Sequence, residues 1–173
     1  MTKSHRQLDR LLTAHGRELH ALLLRLTLRP DAAEDLMQDL FLNLARSEGF
    51  PKAANPAAYA FQTAINLAMT WRRNSRRHPP MAPITADPLS HDTSTLHRLI
   101  DAETIDRILD ALDDLPEEPR RIVVLRFIQE QTYESIARQI DKDPHTTRAL
   151  CHKAIRRLRL ALNPEEEVRN ASD

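Results

Sequence analysis

Apolar positions recur at helical spacing from the start of the chain. Leu8, Leu11, Leu12, His15, Leu19, Leu22, Leu23 and Leu26 form one stripe, with the period of about 3.6 that marks an amphipathic helix. Pro30 is expected to stop this helix. Asp31, with Glu34 three residues on, has the form of a capping box and predicts the start of a second helix. That helix is expected to bury Ala33, Leu36, Met37, Leu40, Phe41 and Leu44, and to present Glu34, Asp35, Gln38, Asp39 and Asn43 on its other face. A loop, Ser47–Asn55, holds Gly49 and Pro51. Asn55 can cap a third helix with Pro56 at its first position. Its expected core residues are Tyr59, Phe61, Ile65, Leu67 and Ala68, and it ends in the basic run Trp71-Arg72-Arg73-Asn74-Ser75-Arg76-Arg77.

Residues 78–95 hold Pro79, Pro80, Pro83 and Pro88 among Ser, Thr, Asp and His. Such a stretch buries little apolar surface and predicts a flexible linker. Beyond it, Leu99, Ile105, Ile108, Leu109, Leu112 and Leu115 mark another helix. Pro116 and Pro119 mark a break, after which Ile122, Val123, Leu125, Phe127 and Ile128 predict an apolar helix. Thr132 caps the next, with Ile136, Ala137 and Ile140 inward. After a turn at Asp141-Lys142-Asp143, Asp143 caps a last helix with Pro144 at its first position. The expected fold is all-α: two small helical domains, residues 1–77 and 96–164, joined by the Pro-rich linker 78–95 and followed by an acidic tail, 165–173.

Composition agrees. The 173 residues include only 2 Gly and 4% aromatics, too few turn glycines and strand aromatics for a sandwich or barrel. The single Cys151 excludes a disulfide framework and a Cys-rich zinc site. No apolar run is long enough for a signal peptide or a membrane span, so a soluble, cytoplasmic protein is expected. His145 and His152 lie seven residues apart with no acidic partner placed to complete a metal site. Two glycines cannot build a phosphate loop. Neither a cofactor, a bound metal nor enzymatic activity is expected.

The charge is patterned although its sum is zero. Residues 51–86 carry net +5, 87–118 net −8, 119–162 net +6, and 163–173 net −3. Basic blocks on helices are the footprint of phosphate binding. A short helix, a three-residue turn and a longer basic helix also make a helix-turn-helix pattern. On the last helix Thr147, Cys151, Ile155, Leu158 and Leu162 fall on one core stripe. His145, Thr146, Ala149, Lys153, Arg156 and Arg157 fall on the outer side, where a recognition helix meets the major groove. Arg148, His152 and Arg159 flank that face, within reach of phosphates. Leu150 is expected on the outer arc, as a contact to a thymine methyl group or as a neutral exposed residue.

The stretch Leu115-Pro116-Glu117-Glu118-Pro119-Arg120-Arg121-Ile122-Val123-Val124-Leu125-Arg126-Phe127, followed by Thr132-Tyr133-Glu134-Ser135-Ile136-Ala137, resembles region 4 of bacterial RNA polymerase sigma factors. Ala33-Glu34-Asp35-Leu36-Met37-Gln38-Asp39-Leu40-Phe41-Leu42 resembles their region 2.2. Pro56-Ala57-Ala58-Tyr59-Ala60-Phe61, with Ala64-Ile65-Asn66-Leu67-Ala68 and the basic end, resembles regions 2.3 and 2.4. Two such halves with no third domain between them resemble the minimal, extracytoplasmic-function (ECF) layout. The resemblance covers residues 8–77 and 102–162. It implies a factor that binds core RNA polymerase, through the β′ clamp helices and the β flap, and directs initiation at promoter DNA. Glu34, Asp35, Gln38, Asp39 and Asn43 would dock on polymerase. Asn66, Trp71, Arg72, Arg73, Arg76 and Arg77 would hold the melted −10 element, and loop Ser47–Asn55 would capture a flipped base. Trp71 is open to two readings, a stacking platform or a core residue. His145, Thr146, Arg148, Ala149, Lys153, Arg156 and Arg157 would read the −35 element. The family often has an anti-sigma partner.

Three positions depart from the family pattern. Asp141 stands where Gly is usual, Lys142 where an apolar residue is frequent, and Leu150 where a basic one is frequent. The acidic stretch 87–118 leaves two readings open: mimicry of nucleic acid near the RNA exit path, or screening of the basic helices in the free protein. The alternative function is a stand-alone helix-turn-helix regulator, which leaves the acidic face of the second helix unexplained.

Overall fold

A computed structural model of the chain describes residues 3–77 and 95–163, with side chains for 6–77 and 103–163. The linker expectation for 78–94, the tail 165–173 and the side chain of Leu99 lie outside the described residues. The elements are α1 (Lys3–Thr27), α2 (Pro30–Arg46), a 3-10 turn (Phe50–Lys52), α3 (Pro56–Arg77), α4 (Thr95–Asp113), α5 (Glu117–Val123) running into a π-helical turn (Val124–Ile128), α6 (Tyr133–Ile140) and α7 (Pro144–Leu162). The described residues are all-α.

In the first half α1 packs on both α2 and α3. Leu19, Leu22, Leu23 and Leu26 of α1 are fully buried against Leu40 and Leu44 of α2 and Ile65 and Met69 of α3. Each such side chain contributes about 2 kcal/mol on burial, so the apolar stripes dominate the stability of this half. In the second half α7 packs on α4, α5 and α6, with Ile122, Leu125, Ile136 and Cys151 buried between them. The extensively packed helix pairs all lie within one half. The buried apolar side chains nevertheless join into one continuous cluster across both.

Local signals explain most helix ends. Asn55 Oδ1 accepts from the Ala58 N–H at 3.0 Å, Thr132 Oγ1 from Ser135 at 3.2 Å, and Asp143 Oδ1 from Thr146 at 2.8 Å. The α1–α2 junction differs from expectation. Pro30 does not end α1 but is the first residue of α2, and Asp31 is not the cap. A residue before proline is held extended, so Arg29 (φ −136, ψ 118) takes the cap position without a side-chain bond. Asp31 pairs with Arg29 instead. The chain turns at Leu28, whose φ is 59, and the Thr27 hydroxyl donates to Leu23 O at 2.8 Å.

Several expected core residues are exposed. Phe41 lies on the flank of the α2 stripe and is 42% exposed. Tyr59 is also exposed and uses its hydroxyl on Ser47, 2.9 Å away. Ile105 and Ile108 are exposed on α4. Phe127 sits in the π-helical turn, where the Gln129 N–H reaches back to Val124 O. The wider turn shifts the helical register, and Phe127 is 57% exposed.

Candidate polymerase and nucleic-acid interfaces

Three polar faces stand out. The first is on α2. Glu34, Asp35, Gln38, Asp39 and Asn43 are all exposed. Glu34, Asp35 and Asp39 form no ion pair among the described residues. Asn43 donates to Asp39 O at 2.8 Å. Beside them Phe41 and Leu42, each over 40% exposed, border a cavity of about 370 Å³ with Leu12, Met37 and Gln38. Sequence reasoning placed the acidic face and missed these apolar neighbours. At about 100° per residue Leu42 points opposite the Ala33–Leu44 stripe, and that was the available signal.

The second face is α3 with the loop before it. Ser47 Oγ accepts from the N–H groups of Gly49 and Phe50, both at 3.1 Å, and fully buried Phe50 anchors the loop to the core. At the other end of α3 the arginines are engaged. Arg72 is buried and donates to Asp110 Oδ1 at 2.8 Å, Asp106 Oδ1 at 3.0 Å and Leu26 O at 3.4 Å. Arg76 lies 3.1 Å from Asp113 and 3.5 Å from Asp110, and Arg73 lies 3.6 Å from Asp113. Arg77 is exposed without an ion pair among the described residues. Asn66 is half-buried and donates to Glu117 Oε1 at 3.1 Å, and Gln62 donates to the same oxygen at 2.6 Å. Trp71 is half-buried with the Arg29 guanidinium 6.0 Å over its ring. The structure thus brings Asn66, Arg72, Arg73 and Arg76 to carboxylates of α4 and α5, sets Trp71 apart from them beside Arg29, and adds Gln62 and Glu117 to the first group.

The third face is α7. His145, Thr146, Arg148, Ala149, Lys153, Arg156 and Arg157 are all exposed. The opposite side is fixed by buried Thr147, Cys151, Ala154 and Leu158, and the Thr147 hydroxyl donates to Asp143 O at 2.9 Å. Leu150 is half-buried and packs on the core, not on the outer arc as expected. Asp141 adopts the left-handed conformation (φ 55, ψ 50), so the turn forms without glycine. The guanidiniums of Arg126 and Arg148 lie 5.0 and 5.2 Å from the Tyr133 ring centre, which holds Arg148 at the edge of the face. Burial pushes the Tyr133 phenol up. The hydrogen bond from Thr146 holds the Asp143 carboxyl below the usual carboxylate range. The basic residues of α7 form no ion pair among the described residues, in contrast to those of α3. Among the described residues no three His, Cys, Asp or Glu side chains are grouped to hold a metal.

The Sigma-70 region 2 family matches residues 11–78, and the Sigma-70, region 4 family matches residues 105–158. The chain is 31% identical over 152 residues to the ECF RNA polymerase sigma factor SigM of Mycobacterium tuberculosis, covering 87% of this chain and 74% of that protein. It is 27% identical over 164 residues to the RNA polymerase sigma factor CarQ of Myxococcus xanthus, covering 90% and 89%. Among solved structures, the sigma factor RpoE in complex with the anti-sigma factor NepR from Bartonella quintana aligns with a TM-score of 0.47 at 21% identity, over 90% of this chain and 96% of that one.

Proposed function

We propose a division of labour from one premise: the chain belongs to the ECF RNA polymerase sigma factors, with regions 2 and 4, and directs promoter-specific initiation with core RNA polymerase. In this reading the α2 face docks on the β′ clamp helices. Glu34, Asp35 and Asp39 offer carboxylates to basic groups of the partner, and Phe41 and Leu42 supply apolar contact. The α7 face enters the major groove of the −35 element, where His145, Thr146 and Ala149 lie nearest the base edges. Lys153, Arg156 and Arg157 follow along the groove, and Arg148 takes a phosphate. The −10 strand lies along α3, with the loop Ser47–Asn55 receiving a flipped base and Asn66, Arg72, Arg73, Arg76 and Arg77 holding bases and phosphates. Region 4 also meets the β flap, and an anti-sigma protein is a further partner. The protein acts in the cytoplasm as a regulator rather than an enzyme. No helix among the described residues is long and apolar enough to cross a membrane.

One observation carries this reading: the α2 and α7 faces are exposed, and neither is neutralised by ion pairs across the fold. They carry opposite charge and lie on different halves, which suits two different partners. Binding of fluorescent core polymerase tests it. Asp35→Ala with Asp39→Ala should weaken core binding while duplex −35 binding by region 4 stays unchanged. Equal loss of both would contradict the division.

A further inference from the structure

One cavity has no place in this division of labour. It is a groove of about 680 Å³ between the first turns of α1 and the start of α3, within the roughly 300–1,000 Å³ of small-ligand clefts. Arg6 and Arg10 stand one turn apart on its α1 wall. Both are exposed, and neither forms an ion pair among the described residues. Asn55 borders the other wall, and Leu11, Ala14 and Pro56 give the groove an apolar lining. No carboxylate lines it. Glu18 lies 3.1 Å from His15 Nδ1 at one end. Guanidiniums over an apolar lining suit a nucleotide, whose phosphate takes the charge and whose sugar and base take the apolar surface.

We propose that this groove seats the single-stranded DNA next to the captured base, with a phosphate between Arg6 and Arg10. The inference rests on the reading of loop Ser47–Asn55 as the capture site, and carries the path of the strand beyond it. Asn55 is common to both, ending the loop and bordering the groove. Its Oδ1 is committed to the Ala58 N–H, which leaves its amide nitrogen as the donor. α1 also packs on the 3-10 turn of the loop, where Gln7 donates to Phe50 O at 3.5 Å. The groove therefore keeps a fixed place beside the loop. The basic end of α3 lies at the far end of its 22 residues, about 33 Å away. A strand laid along α3 that drops a base into the loop leaves the helix at this groove. By helical rotation Leu12 is on the opposite side of α1 from Arg10 and Ala14, and it borders the cavity of the α2 docking face. Polymerase on α2 thus leaves the groove open. An acidic peptide would meet the same guanidiniums, but continuity with the capture loop favours DNA.

The test uses holoenzyme of the full chain, wild type and with Arg6→Gln and Arg10→Gln combined. The probes are fluorescein-labelled single strands from a promoter fragment that the holoenzyme selects. The first holds the −10 element alone. The second and third add a short run of thymidines at one end or at the other. Anisotropy reads affinity, and circular dichroism of the free chain checks that the helices remain. For the wild type, extension at one end should tighten binding about tenfold, and extension at the other should add little. The variant should lose that gain and keep its affinity for the unextended strand. Equal wild-type affinity for all the strands, or a gain that the variant keeps, would overturn the groove. So would weaker binding of the variant to core polymerase without DNA, which would assign Arg6 and Arg10 to an acidic surface of the polymerase. Scrambling the −10 bases separates the premise: unchanged affinity for the unextended strand would overturn the −10 reading of the loop and α3 rather than the groove.

Discussion

The Arg120 guanidinium donates to Asp113 twice, to Oδ1 at 3.0 Å and to the main-chain oxygen at 3.2 Å. Both side chains are nearly buried. The same carboxylate receives Arg73 and Arg76 from α3 through its other oxygen. Asp113 therefore ties α4 to α5 inside region 4 and also meets the first half. Removing one member of a buried pair strands the other charge. Asp113→Ala should cost about 3 kcal/mol, read as a lower denaturation midpoint in urea. Asp106→Asn, at a far more exposed position, should cost less than about 1 kcal/mol.

Lys153 lies in the middle of the exposed α7 face. Lys153→Ala should weaken holoenzyme binding to −35 duplexes. Were its contact only to phosphate, the loss would be similar on every sequence and the salt slope would fall by about one. A contact to a base edge would instead change preference at one position. Binding titrations on a panel of single-substitution duplexes separate these two results, and an unchanged affinity would remove Lys153 from the interface.

Phe41 is, with Leu42, one of two large exposed apolar side chains beside the acidic residues of the proposed docking face on α2. Truncating an aromatic that becomes buried in an interface typically costs more than 1 kcal/mol, so Phe41→Ala should weaken core binding by about tenfold. Its exposure means that the denaturation midpoint of the free chain should change little. A large loss of stability with unchanged core binding would return Phe41 to a packing role.

Asp143 gives a pH dependence with a fixed sign. Its carboxyl is held below its usual range by the hydrogen bond from Thr146. The folded value is thus lower than the unfolded one, so this stabilisation is present above the unfolded value and is lost as pH falls through the folded one. Thermal midpoints measured from neutral to acid pH should fall for the wild type. Asp143→Asn keeps an uncharged cap and should flatten the part of that slope due to this residue. Asp143→Ala should lower the midpoint at every pH.

The parts of the fold legible in the sequence were those set by local chemistry. Asn55, Thr132 and Asp143 precede helices at spacings that leave a backbone N–H to satisfy, and each cap formed. The stripe of α1 fixed its buried face because Leu recurs over the whole helix. Phe41, Tyr59 and Leu150 were misplaced because a flank residue can turn to either side, and periodicity alone does not decide which. Asp31 was misread because the restriction that Pro30 places on Arg29 outweighs a capping signature. The partners of Arg72 and Asn66 were not legible at residue level. They come from α4 and α5, more than thirty residues away, and depend on how the halves meet. The acidic block itself was visible, but which basic helix it covers was not.

Promoter choice belongs to this chain together with polymerase. The most direct measurement is selection of genomic promoter fragments by the purified chain, with and without core RNA polymerase, at near-physiological salt. Fragments enriched only when core is present, sharing two elements at a fixed spacing, are the expected result. Selective enrichment by the chain alone would contradict it, and would point to a stand-alone helix-turn-helix regulator whose α2 face serves some other end.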